Sequence, residues 1–517
     1  MSLAMLPNSA DPHEGVREHA DYDGEIRARC EIVVVGSGPG GAVVAKELAE
    51  AGRDVILVEE GPPFGKKEFV QEAGESMQRT LREGGSRAAR GNCVTPTMQA
   101  IALGGGSLIN SAICARPPDW IFDKWGERTG TTITLEDLVP HFERVETQLG
   151  VAPTPDEVQG ERNRRFLRGC EALGMEAEPC HRNVRGCRGS GECFTGCRNG
   201  AKKSTDVSYV PAAIRAGARV YTSVRAEQVV TDGRRARGIR GRVVEPFTLK
   251  EGPEVHIDAE VVVLAAGCMA TPIILLRSKV ANSSGLVGRD LRFHPGLAVM
   301  AMYEDVIDPW KGATQGYHSL HYLKEGLKFE VLWSPPSVLA TRLPGLGHDY
   351  QQHLLHYNRM APFDVIGAAD NSSGAVRPRP GSWDPDITFD FHQKDVDQMR
   401  EGMGILADIC FASGCDYILP GLANVPEVLR SKDEARVIRD TPMKANDGIV
   451  ASNHAFCTTR MSPDPKRGVV DEVGRCHDLD NVYVSDTGNF AASSGVNPML
   501  LCMALADRIA HHIADAH

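Results

Sequence analysis

The stretch EIVVVGSGPGG, residues 31–41, constrains the fold of this chain more than any other feature. Residues 32–35 form a continuous β-branched run, which is typical of a strand buried on both faces of a parallel sheet. Gly36, Gly38 and Gly41 follow at once in the order G-x-G-x-x-G and open a segment with helical spacing, GAVVAKELAEAG. RDVILVEEG then supplies a second apolar strand. Strand, glycine turn, helix and strand together predict a βαβ dinucleotide-binding unit.

The three glycines have distinct expected roles in such a unit. Gly36 permits the tight turn, Gly38 lets the backbone approach a pyrophosphate, and Gly41 permits close packing of the helix on the strand. Glu59 ends the second strand, where a carboxylate is expected to reach a ribose hydroxyl. The motif serves both FAD and NAD, so the residues by themselves leave the choice of dinucleotide open.

Size and charge narrow the class of protein. A chain of 517 residues exceeds what one core usually organises, so we expect two lobes. The formal charge is 57 − 68 = −11 without a basic block, which argues against a nucleic-acid partner. No run approaches the roughly 18 apolar residues of a membrane helix, so we expect no transmembrane segment. The polar, acidic N-terminus predicts a mobile arm over residues 1–27 and, lacking a signal-like apolar run, a cytoplasmic protein.

The rest of the chain alternates between strand-like and helix-like segments. VYTSV and AEVVVLAAG are strand-like, and TPIILLRS and PMLLCMALADRIAHHIA have helical character. Between residues 295 and 400, Pro- and Gly-rich turns separate further strand-like runs, KFEVLWS and DITFDFHQ. The pattern predicts an α/β fold whose second lobe is built on a more antiparallel sheet.

Five further segments follow the glycine motif in a fixed order. They are LGGGSLINSAICARP, DKWGERTGTTITLEDLVPHFERVE, GLVGRDLRFHPG, SNHAFCTTRMSPDPKRGVVD and VYVSDTGNFAASSGVNPMLLCMALADRIA. With these motifs the chain, from about residue 30 to its end, closely resembles the glucose–methanol–choline oxidoreductases, FAD enzymes that oxidise alcohols. Within that family it is most similar to a cysteine-containing branch that includes long-chain alcohol oxidases.

The resemblance implies a Rossmann-like FAD-binding domain assembled from separated segments and a substrate domain on a six-stranded, largely antiparallel sheet. We expect the FAD-binding domain over residues 28–120, 205–290 and 451–517. A cysteine-containing lid or insertion is expected over residues 121–204, and the substrate-binding domain over residues 291–450.

The resemblance also implies which residues contact FAD. These are Gly36, Ser37, Gly38, Gly40, Gly41, Glu59, Gly105, Gly106, Ser107, Asn110, Ala112, Ala266, Gly267, Asp486, Pro498 and Met499. The alternative reading of Asp486 is a helix cap. Choline-oxidising members have a histidine just before the asparagine of the GGGS segment, and it bonds covalently to the flavin. Ile109 stands there in this chain, so we predict non-covalent FAD.

The resemblance assigns the catalytic roles to His454 and Asn497. Imidazole has an unperturbed pKa near 6.5, so His454 is expected to take the hydroxyl proton of the alcohol. Asn497 is no base, but its amide can donate to the developing alkoxide.

The catalytic segment departs from the family pattern at two positions. Cys457 and Ser462 replace glycines, so we expect a local difference in the backbone, and Phe456 is expected to narrow the substrate entrance. His294 is interpreted as structural and distant from the chemistry.

Cysteines are concentrated in GCRGSGECFTGCRNGAKKST, which holds Cys187, Cys193 and Cys197, with Cys180 upstream. Ser190 stands where a ferredoxin-type run would have its second cysteine, which counts against an iron–sulfur cluster. The alternatives are a disulfide, a group of thiols packing a lid loop, or zinc with His181. We predict no metal site, and most of the fourteen cysteines are expected to be free thiols.

The predicted reaction is the oxidation of an alcohol to an aldehyde or ketone, with O2 or a separate acceptor reoxidising the flavin. The cysteine-containing branch and apolar runs such as LKFEVLW favour a lipophilic alcohol, long-chain or sterol-like. One alternative is a sugar or aminoglycoside hydroxyl, and another is a hydroxynitrile lyase with non-redox FAD. The sequence leaves the oligomeric state open.

Overall fold

A computed structural model of the chain describes residues 11–332 and 335–517. Its largest sheet has eight strands and carries the glycine motif. From one edge to the other the strands are Val16–Arg17, Arg219–Tyr221, Val55–Val58, Ile26–Val35, Glu251–Leu264, Arg235–Val244 and Val224–Asp232, with Val482–Val484 paired to Glu251–Leu264. The strands around the glycine motif pair in parallel, and the last two join as antiparallel hairpins.

The interior of this sheet confirms the predicted buried strands. Val33, Val34 and Leu57 have no solvent exposure, and helix Pro39–Glu50 contacts the strands that hold them. Helix Pro39–Glu50 begins directly after the glycine turn and packs against the C-terminal helix Met499–Ala516. These contacts bring the C-terminal helix close to the nucleotide-binding turn.

The second lobe is built on a six-stranded sheet whose neighbouring strands are all antiparallel. The strands in order are Tyr417–Leu419, Gly296–Met302, Met360–Gly367, Leu327–Val331, Tyr317–Ser319 and Glu178–Pro179. Helix Gln393–Ala412 covers this sheet through Met403 and Leu406, which are fully buried. The prediction of an α/β fold with a largely antiparallel substrate sheet is confirmed.

A four-stranded sheet connects the lobes near the catalytic segment. Its strands are Pro385–Asp390, Ser373–Pro378, Arg289–Phe293 and Ala455–Phe456. Two-stranded ladders join Ala88–Ala89 to Thr95–Pro96 and Ala152–Pro153 to His181–Arg182. The other α-helices are Ala73–Thr80, Gly106–Ile109, Trp120–Thr129, Leu135–Leu149, Gly160–Ala172, Tyr209–Arg215, Ala270–Ser278, Pro336–Ala340, Gly347–Leu355 and Val437–Asp440.

The predicted N-terminal arm lies partly outside the described residues, which begin at residue 11. Within its described part, Val16–Arg17 pairs in parallel with Arg219–Tyr221 at the edge of the large sheet. The predicted domain boundaries stay predictions. In residues 11–332 and 335–517, no helix combines the length and the apolar character that crossing a bilayer requires.

Candidate active site

A large cavity lies between the two lobes, and the glycine motif forms one end of it. Gly36 has a φ of +101°, which a side chain would strain, and a Cβ there would lie 2.3 Å from the carbonyl oxygen of Ala265. At Gly40 a Cβ would lie 1.7 Å from the carbonyl oxygen of Ser485. Glycine is therefore needed at both positions, because the turn approaches two neighbouring backbone segments too closely for any side chain.

Most of the predicted site residues meet at this cavity although they are spread over the whole chain. Its wall includes Gly36, Gly38, Gly40, Glu59, Gly105, Gly106, Asn110, Ala266, Gly267, His454, Asp486, Asn497, Pro498 and Met499. The structure places the remaining four, Ser37, Gly41, Ser107 and Ala112, behind the wall, where each is buried.

Acceptor groups suited to ribose hydroxyls lie beyond the glycine turn. Glu59 is buried, and its carboxylate accepts hydrogen bonds from Ser37 N at 2.9 Å, Ser37 Oγ at 2.6 Å and Gly61 N at 2.9 Å. The next residue, Glu60, forms an ion pair with Arg82, yet its Oε1 is buried without a partner among the described residues. Both carboxylates line the cavity, so they offer acceptors for hydroxyl groups there.

The GGGS segment is held in place from behind by a buried lysine that the sequence reading missed. Lys202 Nζ donates to the carbonyl oxygens of Leu108, Asn110 and Cys193. Burial lowers the pKa of this lysine to about 8. Because the ammonium joins two segments far apart in sequence, it ties the cysteine-containing region to the cavity wall.

Asp486 caps a short 3₁₀ helix, which is the alternative role considered for it, and its contact with FAD stays a prediction. Its Oδ1 accepts from Gly488 N at 2.8 Å, as the cap of a short 3₁₀ helix, while Oδ2 accepts from Gly267 N at 3.0 Å and Thr271 Oγ1 at 2.5 Å. Burial raises the pKa of this carboxyl to about 6. The residue therefore holds the 266–267 turn in place and also forms part of the wall.

His454 lies against a second histidine, and this corrects the reading of His294 as distant from the chemistry. The Nδ1 atoms of His294 and His454 are 3.1 Å apart, and His294 Nε2 is 2.6 Å from Ser493 Oγ. Strand Arg289–Phe293 ends directly before His294 and pairs with Ala455–Phe456, and this pairing brings the two rings together. Burial lowers the pKa of His454 to about 4, with Glu330 raising it and Lys328 lowering it. Both imidazoles are therefore neutral at neutral pH.

The structure shows how Cys457 and Phe456 are accommodated. Cys457 has a φ of +74°, so it keeps a left-handed conformation that favours glycine. Phe456 is fully buried behind His294 and stacks on Phe490 with ring centroids 5.7 Å apart. It is absent from the cavity wall, so the prediction that it narrows the substrate entrance is wrong.

Asn497 is oriented by a charged network on the substrate sheet that the sequence reading also missed. Lys328 Nζ donates to Asn497 Oδ1 and, at 2.5 Å, to Glu330 Oε2. Gln315 Nε2 donates to the other oxygen of Glu330 at 2.5 Å. Because Lys328 donates to the amide oxygen of Asn497, the NH2 group of Asn497 can donate to other partners. Alternation along Leu327–Val331 places Lys328 and Glu330 on one face, which is the signal that the sequence offered.

The cysteine segment forms no metal-ligand cluster in the part of the chain that the structure describes. All fourteen cysteines are free, and in residues 11–332 and 335–517 no group of three metal-binding side chains with ligand atoms within 4.8 Å of one another includes a cysteine. Cys193 Sγ instead accepts from the buried Arg182 at 2.9 Å. Arg182 and Lys202 lower the pKa of this thiol against the opposing effect of burial.

The cavity offers FAD open space beside two glycines and polar groups in its wall. The N-terminus of helix Pro39–Glu50 opens at the glycine turn, where free N–H groups can bind phosphate. Added Cβ atoms at Gly106 and Gly267 would meet nothing within 4 Å, so the wall leaves open space beside both. The unpartnered Glu60 Oε1 is an acceptor for a hydroxyl. The helix N-terminus therefore suits a phosphate, and the Glu60 carboxylate suits a ribose hydroxyl.

Comparison with known proteins agrees with this geometry. The GMC oxidoreductase family matches residues 77–296 with its N-terminal part and residues 370–506 with its C-terminal part, and the pyridine nucleotide-disulphide oxidoreductase family matches residues 31–95. A GMC-type oxidoreductase of Mycobacterium tuberculosis is 30% identical over 98% of this chain and 82% of its own length.

Two relatives with named activities are less similar. A long-chain-alcohol oxidase of Arabidopsis thaliana is 27% identical over 96% of this chain and 69% of its own length. The 6'''-hydroxyparomomycin C oxidase of Streptomyces lividus is 27% identical over 94% of this chain and 91% of its own length.

Among solved structures, a variant of formate oxidase from Aspergillus oryzae has a TM-score of 0.73 at 16% identity, covering 95% of this chain and 99% of the other, which supports the fold. The glycine turn, the cavity and the family matches over both lobes agree with one another. The chain belongs to the GMC oxidoreductases and is an FAD-dependent oxidoreductase that acts on alcohol-type donors.

Proposed function

We propose that the protein oxidises the carbinol group of an alcohol to an aldehyde or ketone, with His454 taking the hydroxyl proton. When bound, FAD supplies the acceptor for the hydride of the carbinol carbon. The observation that carries the proposal is the pairing of a neutral imidazole with an oriented amide, because His454 and Asn497 line the same cavity as the glycine turn. Base and hydrogen-bond donor are then available to one alcohol oxygen.

The contact between the two histidines supports the assignment of the base. We assign His294 the tautomer that donates from Nε2 to Ser493 Oγ, so that its Nδ1 accepts from Nδ1–H of His454. His454 Nε2 then carries a lone pair and can accept a proton. Ser493 Oγ also accepts from Gly495 N at 3.1 Å, which fixes its position.

Asn497 complements this base as a donor. Lys328 occupies its carbonyl oxygen, so the amide N–H groups are free to stabilise negative charge on the alcohol oxygen as the proton leaves. The cofactor contacts assigned from the resemblance form part of the same proposal. Glu59 and Glu60 are proposed as acceptors for ribose hydroxyls, because both carboxylates line the cavity near the glycine turn.

The two predicted substrate classes each have support among the relatives. The long-chain-alcohol oxidase of Arabidopsis thaliana favours a lipophilic alcohol, and the 6'''-hydroxyparomomycin C oxidase of Streptomyces lividus favours a sugar or aminoglycoside hydroxyl. Apolar side chains such as Leu332, Val338 and Ile366 line part of the cavity, and carboxyl groups line another part. O2 is the proposed electron acceptor, with a separate carrier as the alternative, and a cytoplasmic location stays a prediction.

The proposal is tested by recording the visible spectrum of the purified protein anaerobically while alcohols are added. Fatty alcohols, aryl alcohols, sterols, sugars and aminosugars form the panel. Bleaching of the flavin bands by one class is the expected result. If no class bleaches the flavin and mandelonitrile instead releases benzaldehyde without a spectral change, the protein is a hydroxynitrile lyase and the proposal fails.

A further inference from the structure

Two buried carboxyl groups face each other across neighbouring strands at the cavity wall. Glu330 on Leu327–Val331 and Asp364 on Met360–Gly367 are directly opposed in the antiparallel pair. Glu330 is 3% exposed and Asp364 is 7% exposed. Both line the same cavity as His454 and Asn497. Directly opposed like charges destabilise a sheet, so such a pair is an unusual choice for a purely structural position.

Hydrogen bonds satisfy Glu330 fully. Lys328 and Gln315 each donate to one of its carboxylate oxygens. Because Lys328 also donates to Asn497, a single ammonium group separates the Glu330 carboxylate from the amide of Asn497. The carboxyl pair therefore lies next to the position where the reacting alcohol is expected.

Asp364 is not satisfied in the same way. Its Oδ1 is buried and has no hydrogen-bond partner among the residues that the structure describes. Burial, and then the charge of Glu330, raise the pKa of this carboxyl well above its ordinary value, while Arg342 opposes them. A buried polar atom without a partner is costly, so the carboxyl is expected to find a partner in the cavity.

The charges around Asp364 select the kind of partner. Lys328 and Arg342 are two positive groups, and Glu330 supplies one negative charge beside them. Arg342 lines the cavity, and no hydrogen bond of its guanidinium to another described residue is present. An ammonium group would be repelled by both cations, whereas a hydroxyl can donate to the carboxyl group and accept from the guanidinium.

We propose that Asp364 and Arg342 form a subsite for a second hydroxyl group of the substrate, so that the preferred substrate is a polyhydroxylated alcohol rather than a simple long-chain one. The inference rests on the proposed function, because the first hydroxyl is the one that His454 deprotonates. The second hydroxyl is bound and left unchanged, so the reaction itself is unaltered. Asp364 and Arg342 are specificity residues in this proposal.

The test compares alcohols that share one carbinol group. Hexan-1-ol, the hexanediols with hydroxyls at positions 1,2 to 1,6 and the matching amino alcohols are supplied to the FAD-loaded enzyme. Anaerobic flavin reduction gives kcat/KM for each compound. At least one diol is expected to exceed hexan-1-ol by about 10- to 100-fold, the scale of a hydrogen bond to a buried partner.

Variants connect this preference to Asp364. Asp364→Leu is expected to lower the ratio of kcat/KM for the diol to kcat/KM for hexan-1-ol at least tenfold. Asp364→Asn keeps an acceptor and a donor, so it is expected to retain part of the preference for the diol. Asp258→Asn, an exposed carboxylate on strand Glu251–Leu264 of the other sheet, is the control and leaves the ratio unchanged. FAD absorbance and melting temperature confirm that each variant is folded.

Three results would overturn the subsite. One is an equal kcat/KM for hexan-1-ol and every diol, which would mean that an ordered water is the partner of Asp364. Another is a wild-type ratio in Asp364→Leu. The third is a higher kcat/KM for an amino alcohol than for the corresponding diol, which would mean that Asp364 binds an ammonium group. In all three cases an alcohol still reduces the flavin. If the proposed function itself is wrong, no compound in the panel bleaches the flavin, so the two failures can be distinguished.

Discussion

The Nδ1 atoms of His454 and His294 are 3.1 Å apart, and their rings meet edge to face with an interplanar angle of 83°. Burial keeps the pKa of both residues below the ordinary histidine value, so both rings are neutral at neutral pH. In the proposed tautomers, Nδ1–H of His454 donates to His294 across this contact, which leaves Nε2 of His454 as the proposed base.

Replacing His454 by alanine tests its role as the base. His454→Ala is expected to slow flavin reduction by a good substrate at least a hundred-fold, the scale of lost general base catalysis. Anaerobic stopped-flow absorbance measures the rate, and an unchanged flavin spectrum shows that FAD is retained. Reduction near the wild-type rate would remove His454 from the mechanism.

His294 is expected to act through His454 as a positioning residue. His294→Leu removes the acceptor for Nδ1–H and should cost about 10- to 100-fold in kcat, as loss of an orienting partner does. His294→Asn can place its amide oxygen near the former Nδ1 and should retain more activity. The measurement is the ratio of kcat between His294→Asn and His294→Leu. Equal losses of kcat in the two variants would indicate that His294 has a packing role instead.

The pH dependence follows from the depressed pKa of His454. The base must be neutral in the free enzyme, and its pKa is about 4. We therefore expect kcat/KM to stay constant from neutral pH down to about pH 5 and to fall roughly tenfold per unit below pH 4. A profile that already bends near pH 6.5, the unperturbed value, would contradict the buried environment.

Lys328 is expected to serve both stability and catalysis. Lys328→Met leaves Glu330 buried without its cation, which should destabilise the protein by about 3–5 kcal/mol. It also frees the amide of Asn497 to rotate, so flavin reduction should slow about 10- to 100-fold. Thermal melts and stopped-flow traces measure the two effects.

The double variant Lys328→Met with Glu330→Gln separates these effects. It removes the unpaired charge, so stability should recover. The rate should stay low, because Asn497 still lacks the donor to its Oδ1. Recovery of both quantities would mean that Lys328 acts only through the fold.

The attachment of FAD is predicted from Ile109, which lines the cavity and has no nucleophilic atom. Acid precipitation should therefore leave the yellow colour in the supernatant. A covalent flavoprotein treated in parallel serves as the control, because its pellet keeps the colour. Flavin in the pellet of this protein would require another attachment residue.

The cofactor end of the site was predictable because it depends on local sequence. Gly36 must follow a buried strand and precede a helix, and those neighbours lie within a dozen residues. The βαβ unit carries its own signal in apolar periodicity and glycine spacing. His454 and Asn497 were assigned through the resemblance of their segments to those of the family.

The second histidine was misread because its role depends on a contact between distant segments. Strand Arg289–Phe293 pairs with Ala455–Phe456 across more than 160 residues, and only this pairing sets His294 beside His454. Side-chain direction in a strand depends on register, and a shift of one residue would turn the ring away.

The sequence by itself determined the fold class and the dinucleotide turn, because their signals lie in contiguous residues, and its resemblance to the family pointed to His454 and Asn497. The tertiary structure alone decided which polar groups surround them. Glu330 and Asp364 are opposed through the register of two strands, and Lys328 reaches Asn497 from the other lobe. Register and lobe packing arise from many weak long-range contacts that no local pattern records, so the substrate side of the cavity became visible only in the folded chain.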